Sequence, residues 1–220
     1  MYNLLRKDLL LQKKTLLFAA LYSIFIFFAF AAQPFTNYAY IMGGIGVTYI
    51  LLISGVQVEY KNHTDVLINS LPVKRSEFIL SKYLSLIIFT AITIVLLGLI
   101  GGALKFSPLP FPARFINWID VLWIFASVAV LLSIYLPIFY KFGGKWVQIG
   151  NVFLFMAVFF APGLIMDFMK KYPETALVKT IANEVAQDPL GVAVIATAVI
   201  LALVCGSLLL TSSIYLHKDL

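Results

Sequence analysis

The side chains that could carry out chemistry are few and badly placed for it. His63 and His217 are the only histidines, and both fall in polar segments outside the long apolar runs. A nucleophilic serine needs a base within hydrogen-bond reach, and a metal needs His, Cys or carboxylate groups at ligand spacing. The chain has no serine and histidine paired inside an apolar run, no H-E-x-x-H, and a single cysteine, Cys205, within its last apolar run. The sequence therefore predicts no catalytic residues, no metal and no enzyme activity of its own. It also carries no nucleotide motor: Gly143-Gly144-Lys145 is followed by Trp146 and lacks the upstream glycine and the Ser or Thr of a phosphate-binding loop.

Ion-driven transport commonly uses an ionisable group at membrane depth, and no Asp, Glu, Lys or Arg lies inside the apolar runs delimited below. Gln148 and Asn151, three residues apart, share a helix face and form a possible polar path for a substrate. Hydrogen bonding between neighbouring helices is the favoured account of the same pair. Gly43, Gly44 and Gly46, and the pair Gly98 and Gly102, are expected to allow helices to approach closely.

These side chains hang on a framework dominated by apolar runs. Of 220 residues, 62% are apolar and 12% charged, and the mean hydropathy is +0.99, whereas soluble domains are about half apolar and about a quarter charged. Six runs, 16–32, 38–56, 84–104, 121–140, 146–166 and 191–215, are near the roughly 20 residues that carry a helix across a hydrocarbon core of about 30 Å. The predicted fold is all-α: a polytopic membrane protein of six transmembrane helices forming a single domain over residues 1–220.

Basic residues set the orientation. One side holds Arg6, Lys7, Lys13, Lys14, Lys61, Lys74, Arg75, Lys82, Lys141, Lys145 and Lys218, against Lys105, Arg114, Lys170, Lys171 and Lys179 on the other. The first side is cytoplasmic by the positive-inside rule, which places both termini in the cytoplasm. The net charge of +6 thus reads as a topology signal and not as a nucleic-acid footprint. Ala29-Phe30-Ala31 fits a signal-peptidase site, but the run is long for a signal core and a polar-rich stretch with Asp8 precedes it, so a first span is preferred.

Residues 2–14 mix leucines with charges and suit a helix lying at the membrane interface. Pro162-Gly163 is expected to kink or end the fifth span. After it, Leu177, Ile181 and Val185 recur every four residues and predict a short external helix.

The longest connector, 57–83, is the informative one. It runs from Glu59-Tyr60-Lys61 through Leu71-Pro72-Val73-Lys74-Arg75-Ser76-Glu77 to Lys82-Tyr83. Val66, Leu67 and Ser70 suit one helical turn, Pro72 breaks it, and Ser76 is expected to cap the helix entering the third span. Such a hairpin could dock into a groove on a soluble subunit, or it could merely join two spans.

At this segment the chain resembles the membrane subunits of type 2 ATP-binding-cassette (ABC) transporters, especially the short permeases of Gram-positive bacteria. The likeness rests on Leu71-Pro72-Val73, Arg75, Glu77, Lys82 and Tyr83, on the opening Leu4-Leu5-Arg6-Lys7-Asp8, and on Tyr215 with Lys218-Asp219 near the end. It implies a six-span subunit of the bacterial plasma membrane, paired with a second permease, identical or related, and with two ATPase subunits that hold the ATP and Mg. Residues 2–14 would be an interfacial elbow helix, and a cytoplasmic coupling helix would lie near 65–70. Glu59, Lys61, Asp65, Leu67, Leu71, Pro72 and Arg75 would couple the chain to the ATPase. Systems that look like this export apolar or amphipathic cargo, such as peptides, drugs and lipids. The competing reading is a non-transporting immunity, sensory or scaffold protein that docks a partner through the 57–83 loop.

Overall fold

A computed structural model describes residues 2–30, 38–62, 75–106 and 114–217. Among these residues the elements are α1 (Tyr2–Leu11), α2 (Lys13–Ala29), α3 (Ala39–Lys61), α4 (Arg75–Phe106), α5 (Trp118–Phe142), α6 (Gly144–Lys171), α7 (Ala176–Gln187) and α8 (Pro189–Leu216), and they include no strand. In hydrocarbon a chain must satisfy its own backbone groups, and a continuous helix does so within one segment. Helices α3, α4, α5, α6 and α8 are long and apolar enough to cross a membrane, and α1 with α2 makes a sixth span if that pair, bent by 54°, is read as one. The six predicted runs fall on α2, α3, α4, α5, α6 and α8.

The helix ends differ from expectation in ways that matter later. Helix α4 begins at or before Arg75, so Ser76 lies inside the helix and is not its cap. Helix α6 runs through Pro162-Gly163 to Lys171 without ending there. A proline inside a membrane helix is tolerated where neighbouring groups re-satisfy the freed carbonyl. The short helix predicted after the fifth span forms as α7, although the side chains of Leu177, Ile181 and Val185 lie outside those described.

Local chemistry explains several boundaries. Asn117 opens α5: its side chain accepts from the Trp118 amide while Asp120 accepts from the Asn117 amide, a capping box. Gly143 separates α5 from α6 with φ of 57°, a left-handed conformation that costs glycine nothing. Asp188 accepts from the Gly191 amide at 2.9 Å ahead of α8, with Pro189 in the first turn where its missing N–H is harmless.

Helix α3 is the hub of the packing. Of its apolar stretch 61% is buried within the chain, against 11% for α6 and 6% for α8. Ile45, Val47 and Leu51 of α3 pack with Leu86 and Phe89 of α4 and with Ile124, Val128 and Leu131 of α5. Glycine admits these contacts on α3. A β-carbon on Gly43 would meet Ile26 of α2 and Leu97 of α4 at 3.3 Å, and one on Gly46 would meet the Tyr22 hydroxyl at 2.7 Å. Among the described residues Gly98 and Gly102 do not play that part. A β-carbon on Gly102 meets nothing within 4 Å and one on Gly98 makes only ordinary contact with Ile116, whereas the close approach on α4 is at Gly101, beneath the Tyr40 hydroxyl.

Candidate functional site

Charged groups converge at the end of the bundle where α1, the last turn of α3, the start of α4 and the close of α8 meet. Lys82 of α4 donates to Asp8 Oδ1 and Oδ2 of α1 at 2.9 and 3.0 Å, and to Glu59 Oε1 of α3 at 2.6 Å. Lys7 donates to the same Glu59 oxygen at 2.5 Å and lies 3.6 Å from Asp8. The three bonds from Lys82 match the three N–H donors of an ammonium group. Two cations face two carboxylates, so the cluster is neutral as a unit. Only Lys7 reaches outward: its side chain is 30% exposed, while those of Asp8, Glu59 and Lys82 are all under 10%.

Buried ions are tolerated when they are paired and their remaining donors are used. The face of Phe78 supports both cations, 5.3 Å from Lys82 and 5.9 Å from Lys7. Burial pushes the Asp8 carboxyl above its ordinary value, and the neighbouring Lys82 ammonium opposes that shift. A void of about 20 Å³ beside Asp8, Gln12, Lys82 and Ser85 has room for one water.

Gln12, at the bend between α1 and α2, fixes α1 against this cluster. Its amide donates to the Leu51 carbonyl at 2.8 Å and accepts from Ser54 at 2.7 Å. Gly55 lets it in, because a β-carbon there would sit 2.8 Å from Gln12 Nε2. Arg75, at the start of α4, donates to the Leu216 carbonyl of α8 at 3.2 Å. Tyr83 then shares hydrogen bonds with Ser207 and Thr211 of α8 at 2.7 and 3.0 Å, and Ser207 donates to the Ser133 carbonyl of α5 at 2.8 Å. The helix before the long connector and the helix after it are thus tied to each other, to α1 and to α8.

The predicted coupling residues divide accordingly. Glu59 sits at the centre of the cluster, Arg75 anchors α4 to α8, and Lys61 is exposed two residues past Glu59. Asp65, Leu67, Leu71 and Pro72, together with the expected coupling helix, lie outside the described residues. Of the possible substrate path, Asn151 donates to the Tyr49 hydroxyl of α3 at 3.1 Å, the interhelical bond expected of it, while the side chain of Gln148 is not among those described. In the sequence Lys7 and Lys82 count towards orientation, and Lys7, Asp8 and Lys82 belong to the segments that carry the family resemblance. Each is helical, and together with Glu59 they form a structural unit.

A second ionic feature marks the opposite end. Arg114 donates to both oxygens of Asp120 at 2.6 and 2.7 Å, its carbonyl accepts from the Tyr40 hydroxyl at 2.5 Å, and its guanidinium lies 5.2 Å from the Tyr40 ring. The hydrogen bond to Asp120 raises the Arg114 pKa. Asp120 therefore both caps α5 and holds the segment before it. Asp120→Ala is expected to lower unfolding stability by about 2 kcal/mol, since a lost cap and a lost charged hydrogen bond each cost about 1 kcal/mol or more. Asn117→Ala, which removes only part of the cap, should lose about half as much in the same detergent unfolding titration.

The chemistry available in this arrangement is mechanical. Among the described residues no three His, Cys, Asp or Glu gather as a metal-binding group, and the cluster's carboxylates are occupied by lysines. Its parts join helix ends. The family model described as ABC-2 family transporter protein matches residues 3–216, and the chain belongs to that family. It is a multi-pass membrane permease of an ABC transporter, a membership that implies partnership with an ABC ATPase. No curated protein and no solved structure matches it.

Proposed function

We propose that the chain is the membrane subunit of an ATP-driven exporter that moves an apolar or amphipathic molecule out of a bacterial cell. It works as a pair with a second permease, with both termini in the cytoplasm and the cluster-bearing end facing the ATPases. Closure of the ATPases on ATP pushes the 62–75 connector. The push reaches α3 through Glu59 and α4 through Lys82, and because these two are locked to each other and to α1, the three helices move as one body.

The observation that carries this reading is the three-helix ion cluster flanking the connector, in a chain whose family works with an ATPase. Such a lock resists the two helix ends sliding past one another, which is what transmission of force requires.

The test is to reconstitute the permease with its ATPase and replace connector residues in turn: Asp65→Lys, Leu67→Trp and Leu71→Trp. Each should weaken stimulation of ATP hydrolysis by the permease by about tenfold, the effect of about 1.4 kcal/mol, with membrane insertion unchanged. Stimulation equal to the parent chain in all three would remove the coupling role. An ATPase that binds through the connector without ever being stimulated would favour the docking alternative.

A further inference from the structure

A cavity of about 740 Å³ opens between α5 and α6 on the cluster-bearing half of the bundle, lined among others by Tyr135, Ile138, Phe142, Gly150, Asn151 and Phe153. That volume falls within the range of pockets that hold drug-sized molecules, about 300–1,000 Å³. Its rim looks outward from the bundle: Phe142 is 70% exposed and Phe153 72%. In a bilayer such a mouth opens sideways into lipid.

One wall is polar. Asn151 is 4% exposed, its Nδ2 donates to Tyr49, and its Oδ1 has no hydrogen-bond partner among the described residues. Tyr49 cannot readily move to help, because its ring is stacked on Phe155 with centroids 4.0 Å apart. Turning the amide over would exchange which end is unpaired and leave one end still wanting a partner. An unpaired amide end is costly wherever water is excluded. Asn151 lies eight residues beyond Gly143, about 12 Å along the helix, and inside the apolar run 146–166.

We propose that this cavity binds a compact, mostly apolar molecule carrying a hydroxyl or amide N–H part-way along its body, which pairs with Asn151 while the apolar remainder fills the space between Tyr135, Ile138 and Phe153. The assignment of that molecule as cargo entering from the adjoining leaflet rests on the exporter reading. The binding site itself does not. A hydroxyl suits the site best, since it satisfies either end of the amide. Gly150 keeps the space open: a β-carbon there meets nothing within 4 Å, so a larger side chain can enter the cavity without displacing a neighbour at its base.

The experiment uses the full chain with its ATPase in lipid nanodiscs and two light-activated probes, a diazirine-bearing alkylphenol and the matching alkylbenzene without the hydroxyl. Adducts are mapped by mass spectrometry. The phenol should label residues 134–157 saturably at about tenfold lower dose than the alkylbenzene, the difference one hydrogen bond makes. Asn151→Leu should bring the phenol to the alkylbenzene level, and Gly150→Phe should block both probes. Equal labelling by the two probes would make the cavity an ordinary lipid-filled groove and overturn the proposal. Absence of labelling together with disulfide formation between copies at Phe153→Cys would assign the face to a second permease and overturn it as well. Saturable phenol labelling in a chain that brings down no ATPase would leave the site standing and remove the exporter reading instead.

Discussion

Lys82→Met is expected to destabilise the folded chain by about 3–5 kcal/mol, the cost of removing one partner from a buried ion pair. Asp8 and Glu59 are then left in a space under 10% exposed with only Lys7 to serve both. The charge count explains the second half of this prediction. Adding Asp8→Asn restores a neutral set, Lys7 with Glu59, and should recover most of the loss, because replacing both members of a buried pair is far cheaper than removing one. The readout is unfolding in mixed micelles of mild detergent and dodecyl sulfate, and comparison of the double variant with the two single ones isolates the coupling. A Lys82→Met chain as stable as the parent, or a double variant worse than either single one, would mean that the lysine does not hold the cluster together.

Gly44→Leu comes next in size. A β-carbon on Gly44 would overlap Ile124 Cδ1 and stand 3.1 Å from its Cγ2. Ile124 is fully buried against α3, so it has little room to yield. Overpacking of this kind costs about 1–3 kcal/mol, and a leucine adds three carbons beyond the first. Gly102→Leu is the contrasting case. Its β-carbon meets nothing, and leucine is a better helix former than glycine by about 0.5–1 kcal/mol, so this variant should match or exceed the parent in stability. Trimming Ile124 to alanine in the Gly44→Leu background should return part of the loss. If Gly102→Leu were the damaging change and Gly44→Leu the silent one, the packing of α3 on α5 would be wrong.

Those two glycines also show where a sequence stops being informative. A G-x-x-x-G spacing at Gly98 and Gly102 announces a small-residue face on α4, but not whether another helix of this chain lies against it. That depends on the rotation of α4, which is set by contacts far away in sequence, such as Tyr40 over Gly101. The spans themselves were legible because runs of about 20 apolar residues have one physical solution in lipid. Their ends were less so. A helix entering the third span was legible from Ser76, but residues 75–83 read as a polar connector, and the burial of Phe78, Ile79, Lys82 and Tyr83 was not legible. Their charge is accommodated by Asp8 and Glu59, partners 74 and 23 residues away from Lys82. No local pattern announces such a pairing. The one available hint was that Glu59 and Lys82 lie within about three residues of the apolar runs instead of well out in the polar segments.

The same reasoning applies to Asn151. Its hydrogen bond to Tyr49 follows the expectation for an amide in a membrane helix. The unpaired oxygen and the adjoining cavity became visible only once α5 and α6 had been placed.

The central claim, a permease driven through its connector by a separate motor, is tested most directly by purifying the tagged full-length chain from its native membranes in mild detergent and identifying what accompanies it. The account predicts an ABC ATPase in amounts comparable to the permease, lost when Leu67 and Leu71 are both replaced by aspartate. A chain that emerges folded and without any nucleotide-hydrolysing subunit, or one that holds its ATPase equally well after both replacements, would contradict it.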